Sequence, residues 1–275
     1  MDFANLDRNG RPRMPALVTG ASKGIGARIA VRLAAAGCRV AVGYRSDARG
    51  AALTAEEIRA AGGEALTVAI DVTHDEDVHS AFCHIEDQWG AIAVLVNNAG
   101  LHRGARLHKL SLDDWEAVLA TNLTGAMHAT RRAIAGMLAG GFGRIVNIGS
   151  VVSVAGFPGD AAYGASKAGL VGLTTSLAVE LGPAGITVNL VLPGFVDTEM
   201  TRQVDPKALA GIVNRIPLGR PASGDEIAAA VRFLVTEGAY VNGAVLPVDG
   251  GLLASSAAAP SAPPQGLDPV PAQPG

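Results

Sequence analysis

Cysteine is nearly missing from this chain: Cys38 and Cys83 are the only two in 275 residues. Two thiols cannot build a zinc cluster by themselves. Cys38 leads into an apolar strand and Cys83 falls in a helical stretch, so a disulfide framework is not expected. A reducing cytoplasm is the default compartment. Aromatic residues are also scarce, at 4%. No apolar run reaches the ~18–20 residues that cross a bilayer, so no membrane association is expected. Asp2, Asp7 and Arg8 precede any apolar run, which is unlike a secretory leader. Positive charge is not in excess either. The net charge of −3 gives no electrostatic reason to expect a nucleic-acid partner.

What the chain does have is small apolar residues in a regular rhythm. Its length suits one large α/β domain with a buried core. Apolar runs recur about every 25–35 residues, the length of a βαβ unit. Strands are expected at 16–19, 39–43, 65–70, 93–96, 144–148, 186–191 and 244–248. Helices are expected at 25–36, 56–61, 75–88, 112–138, 161–181 and 225–235. This alternation predicts an α/β protein with a single Rossmann-type, doubly wound parallel sheet of about seven strands, helices on both faces and right-handed crossovers. Residues 1–13 read as a flexible arm and 14–253 as the catalytic domain. The segment 193–220, which holds Pro206 and Pro217, reads as irregular. Residues 254–275 contain six prolines and bury too little apolar surface to order themselves, which predicts a disordered tail.

The first strand runs into Thr19-Gly20-Ala21-Ser22-Lys23-Gly24-Ile25-Gly26. Glycines at this spacing allow a sharp turn, the close approach of a pyrophosphate, and a helix start near the sheet. The N–H groups opening that helix carry partial positive charge toward an anion. The second strand ends Tyr44-Arg45-Ser46, with no acid to accept from ribose hydroxyls. Arg45, Ser46 and Lys23 can instead donate to a 2′-phosphate. Two such contacts would favour NADP(H) by about 10²-fold.

Tyr163 and Lys167 stand at i and i+4 of one expected helix, where they can meet. An ordinary phenol, with pKa ~10, holds its proton tightly, and a neighbouring ammonium is expected to lower that value. Tyr163 could then donate a proton to a carbonyl oxygen as hydride reaches the carbon. Ser150 follows the strand at 144–148 and falls where open α/β sheets bind ligands. Asn122 interrupts the long helix as a polar residue or kink site. His102, after the Asn97–Gly100 run, reads first as a structural or solvent-facing loop residue.

Together these motifs make the chain resemble the short-chain dehydrogenases/reductases over about residues 15–252. They are TGASKGIG, Asp71-Val72 after the third strand, NNAG at 97–100, Asn122, Ser150, YGASK at 163–167, and Pro193-Gly194 followed by Thr198. GRIVNIGSVVSVAG and ITVNLVLPGFVDTEM are most similar to the 3-oxoacyl-[acyl-carrier-protein] reductases and relatives acting on acyl-CoA. The resemblance implies a catalytic set of Asn122, Ser150, Tyr163 and Lys167, with Lys167 also holding the nicotinamide ribose and Asn122 a water. It implies cofactor contacts from Gly20, Ser22, Lys23, Gly24, Ile25, Gly26, Tyr44, Arg45, Ser46, Asp71, Val72, Asn98, Ala99 and Gly100. Pro193, Gly194, Val196 and Thr198 would serve the nicotinamide end. Val152, Phe157, Phe195 and Met200 would shape the substrate pocket, and no metal is required.

A ketone or 3-oxoacyl thioester substrate, an acyl-carrier-protein partner and a homotetramer follow from the same resemblance. One departure stands out. Carrier-protein reductases often place basic residues before the GRI and ITVN strands, whereas here Gly140-Gly141-Phe142 and Pro183-Ala184-Gly185 occupy those places. Arg103, Arg106, Lys109 and Arg132 are the candidate substitutes. Other ketones remain open as substrates. The rival class, a catalytically silent NADP(H)-binding sensor or scaffold, would tolerate loss of Tyr163 or Lys167, and both are present.

Overall fold

A computed structural model describes residues 13–197 and 206–256 of the chain, without side chains for 206–209 and 256. Thr198 and Met200, nearly all of the expected N-terminal arm, and the tail from 257 onward lie outside the described residues.

Seven parallel strands form one sheet in the order β3-β2-β1-β4-β5-β6-β7. They are β1 (Pro15–Val18), β2 (Arg39–Tyr44), β3 (Glu64–Ala69), β4 (Val94–Asn97), β5 (Gly143–Ile148), β6 (Ile186–Pro193) and β7 (Val245–Val248). Helices α1 (Gly24–Ala35), α2 (Ala48–Ala60) and α3 (Asp75–Trp89) join the first four. Helices α4 (Leu112–Leu119), α5 (Gly125–Gly140), α6 (Ala161–Leu181), α7 (Pro206–Val213), α8 (Gly224–Thr236) and α9 (Leu252–Ser256) complete the described chain.

The strands are near-continuous aliphatic runs because both sheet faces are covered; β6 is buried at every residue. Alternation divides the core in two. Ala16 and Val18 of β1 join Ile29 and Leu33 of α1 and Val231 of α8 on one face. Leu17 joins Phe82 of α3, Ala133 of α5 and Ile145 of β5 on the other. Chain order reverses between β1 and β4, which opens a crevice at their C-terminal ends, where doubly wound sheets bind ligands.

Several elements differ from the sequence expectation, each for a local reason. The helix expected unbroken over 112–138 is α4 and α5 joined by a π-helical segment, Ala120–Thr124. One extra residue in that turn redirects Asn122 inward, and Gly125 follows because a Cβ there would sit 2.5 Å from Val72 Cγ2. Helix α2 starts well before the expected 56, since Asp47 caps it by accepting from the Gly50 N–H at 2.9 Å. Pro206 opens α7 rather than breaking the chain, because a first-turn position needs no N–H. Helix α9 carries ordered chain past the expected boundary at 253; the Ser255 hydroxyl donates to the Arg215 carbonyl at 2.7 Å.

Candidate active site

The glycine turn is bolted to the end of β4. Asn98 Nδ2 donates to the carbonyls of Thr19 and Gly20, both at 2.9 Å. Thr19 Oγ1 accepts from the N–H groups of Asn98 and Ala99, both at 3.0 Å. This leaves no room for side chains: a Cβ on Gly26 would lie 2.4 Å from both Asn98 Nδ2 and the Gly20 oxygen. Gly20 and Gly24 have φ of 63° and 60°, in the left-handed region that favours glycine. Helix α1 begins after Lys23 with no side-chain cap and no acid in its first turn. Its opening N–H groups are therefore suited to an external anion.

The end of β2 shows what becomes of its nearest acid. Asp47, two residues past Arg45, is consumed as the cap of α2. Asp71 after β3 loses solvent, which pushes its carboxyl up. Hydrogen bonds from Thr73 and the charges of Arg45 and His74 more than reverse this and hold it below the ordinary carboxylate range. Val72 is buried, with its side chain against Gly125 in the core.

Four expected catalytic residues converge at the C-terminal ends of β4 and β5. Tyr163 and Lys167 lie on α6, with Lys167 Nζ 5.7 Å from the Tyr163 ring centroid. Ser150 opens the turn after β5, where its Oγ accepts from the Val152 N–H at 3.3 Å, and it lies near enough to the Tyr163 hydroxyl to oppose the rise in its pKa. The amide of Asn122 is fully engaged: it accepts from Leu101 N–H at 2.7 Å and donates to the Leu101 carbonyl at 2.9 Å and to Ser166 Oγ at 3.0 Å. Gly100 sits over the group, and a Cβ there would be 3.8 Å from Lys167 Nζ.

The electrostatics differ from the sequence expectation. Burial pushes the Tyr163 phenol up to about 12, against the lowering effect of Ser150 and with a further upward push from Asp160. Burial also brings Lys167 down to about 8. Its ammonium donates to the Ile148 carbonyl at 2.7 Å instead of to the phenol. In this state desolvation outweighs the expected help from the ammonium. Such a phenol is fully protonated near neutrality, as a proton donor must be.

Two substrate-side candidates cluster. Phe157 and Phe195 pack half-buried against Val151, Ile216 and Leu252, and Val152 lies beside Gly164 of α6. Val196 is buried and bridges Ala222, which ties the segment after β6 to the start of α8. A separate cavity of about 530 Å³ beyond β7, lined by Pro217, Pro247 and Asp249 among others, contains none of the catalytic candidates. Sequence reasoning missed Thr19 as the bolt of the turn and Asp160 beside the phenol. An Asp just before an apolar helix reads as a cap, and only the fold shows its partner.

A family model described as enoyl-(acyl carrier protein) reductase matches residues 20–253. The 3-oxoacyl-[acyl-carrier-protein] reductase FabG of Pseudomonas aeruginosa is 44% identical over 241 residues, covering 87% of this chain and 97% of that protein. The 3-oxoacyl-[acyl-carrier-protein] reductase MabA of Mycobacterium avium is 42% identical over 237 residues, covering 86% of this chain and 88% of that one. A crystal structure from Agrobacterium tumefaciens, assigned as a gluconate dehydrogenase, superposes with a TM-score of 0.84 at 36% identity, covering 88% of this chain and 96% of that one. The chain belongs to the short-chain dehydrogenase/reductase family. It is an oxidoreductase acting on a CH–OH group with a nicotinamide cofactor.

Proposed function

We propose that this protein reduces a 3-oxoacyl thioester, carried on acyl carrier protein or coenzyme A, to the 3-hydroxy product with NADPH. The observation that carries the reading is Tyr163 beside Ser150 at the sheet's C-terminal edge, with the buried Lys167 ammonium 5.7 Å from its ring centroid. The Pseudomonas and Mycobacterium relatives, named for 3-oxoacyl reduction, support the substrate class.

The residues present fit the cofactor. The uncapped start of α1 suits its pyrophosphate, and Gly20, Ser22, Lys23, Gly24, Ile25 and Gly26 line that approach. Arg45, with Tyr44 and Ser46, suits a 2′-phosphate, because Asp47 is already spent on α2. Asp71, the Val72 backbone, Ala99 and Gly100 border the adenosine and ribose path, and Pro193, Gly194 and Val196 the nicotinamide end. The bound nicotinamide supplies the hydride. Ser150 and Tyr163 hold the substrate oxygen between them, and the Tyr163 hydroxyl gives that oxygen its proton as negative charge develops. Lys167 keeps positive charge beneath the phenol as it loses the proton, and Asn122 fixes the Leu101 loop beside it.

An acyl carrier partner would meet the exposed Arg106 and Lys109. The other two candidate cations are already engaged, Arg103 with Asp114 and Arg132 with Glu86. A homotetramer fits Val179 of α6 and Leu112 of α4, which are 81% and 77% exposed in the single chain. Among the described residues no helix is long and apolar enough to cross a membrane, and a cytoplasmic site of action completes the reading. The test is NADPH consumption with acetoacetyl thioesters of coenzyme A and carrier protein. Tyr163→Phe is expected to lower kcat/KM by roughly 10²–10⁴-fold while NADPH binding persists. Full activity in that variant would overturn the assignment.

A further inference from the structure

His102 and Asp160 form a pair that the reaction as described does not use. His102 Nε2 lies 2.8 Å from Asp160 Oδ1. A carboxylate only accepts, so Nε2 carries the hydrogen and Nδ1 is the position that gains a proton. The imidazole also stands edge-on to the Tyr163 ring, with centroids 5.1 Å apart at 82°.

Two independent features show that this contact is built. Asp160 is the residue before α6, a place where Asp normally caps the first-turn N–H groups, yet its side chain makes no cap. It is turned to the histidine instead. The His102 loop is stapled to the same place, as Ala105 N–H donates to the Gly159 carbonyl at 2.9 Å. Gly104 leaves space for the pair: a Cβ there would lie 3.2 Å from the His102 ring and 3.6 Å from Asp160 Oδ1.

We propose that His102 and Asp160 are positioning residues that hold the Tyr163 ring and set its strength as a proton donor through the charge on His102. This rests on Tyr163 being the donor. Among the described residues, the charged and titratable groups around the imidazole are Asp160, which precedes α6, and Tyr163 and, one turn on, Lys167 of α6, with Arg103 on its own loop committed to Asp114 of α4. Asp160 raises the Tyr163 phenol, making it a weaker acid. It also raises His102, mainly through the hydrogen bond, against the lowering effect of burial. As pH falls through that raised value, His102 becomes an imidazolium. Its charge cancels the field of Asp160 at the phenol, and Tyr163 becomes the stronger donor.

The experiment is the pH profile of kcat/KM for NADPH-driven reduction of acetoacetyl-CoA, on the full chain, for wild type, His102→Gln, His102→Phe, Asp160→Asn and Tyr163→Phe. Wild type should show a limb that rises roughly five- to tenfold as pH falls through the His102 ionisation. His102→Gln and His102→Phe should lose that limb and reduce kcat more than KM. Asp160→Asn should move the limb to lower pH and exceed wild type on the alkaline side, a gain that a merely structural role cannot produce. NADPH binding by each variant confirms folding. If both His102 variants track the wild-type profile while Tyr163→Phe is inactive, the dyad has no such role and Tyr163 stays the donor. If Tyr163→Phe is active, the underlying reading fails instead.

Discussion

Replacing Lys167 by Met should leave the protein at least as stable and nearly inactive. The ammonium is 3% exposed and its pKa is brought from 10.5 to about 8. A shift of that size corresponds to about 3 kcal/mol against the charged form. Below pH 8 the folded and unfolded states both carry the proton, so the whole penalty is present at neutrality. Between pH 8 and about 10.4 the unfolded chain binds more protons, and stability rises with pH. Above that range both states are neutral and the penalty is gone. Methionine removes the penalty with similar volume but strands the Ile148 carbonyl, which now accepts from Nζ at 2.7 Å, at a cost of about 1–3 kcal/mol. The net gain near neutrality is therefore about 0–2 kcal/mol, or up to roughly 8 °C in Tm for a domain this size. The assay is thermal unfolding of both proteins at fixed concentration and without cofactor, from pH 6 to 10.5 (range chosen to bracket both pKa values). Wild type should close the gap above pH 8. A variant less stable at pH 7 and equally displaced at every pH would refute the reasoning, because the buried ammonium would then be stabilising.

Other outcomes follow from the same geometry. Reduction should weaken as pH rises through about 8, since Lys167 then loses the charge that balances the phenolate; a flat alkaline limb in kcat would count against its role. Gly26→Ala forces a Cβ to 2.4 Å from the Gly20 oxygen, and overpacking against backbone should cost about 1–3 kcal/mol in denaturant unfolding and sharply weaken NADPH binding. Arg45→Ala should reduce the preference for NADPH over NADH by about tenfold or more in kcat/KM, and an unchanged ratio would remove Arg45 from the 2′-phosphate. Ser223→Ala breaks the capping box with Glu226 at the start of α8 and should cost about 1 kcal/mol, read as a lower Tm.

The sequence by itself determined the layers. Aliphatic runs in β2, β5 and β6, separated by helical stretches, can satisfy their backbones and bury both faces only as a covered parallel sheet. Glycines at 20, 24 and 26 fix where the first turn opens. Tyr163 and Lys167 are neighbours in space because four residues make about one helical turn. Tertiary structure decided everything that depends on partners distant in the chain. The π turn at Asn122 depends on Leu101 and Ser166. The fate of Asp160 as a histidine's partner rather than a cap depends on a loop that leaves β4 and returns to α6. The proton affinities of Tyr163 and Lys167 moved opposite ways because burial disfavours whichever form carries charge, and burial is a property of the whole fold.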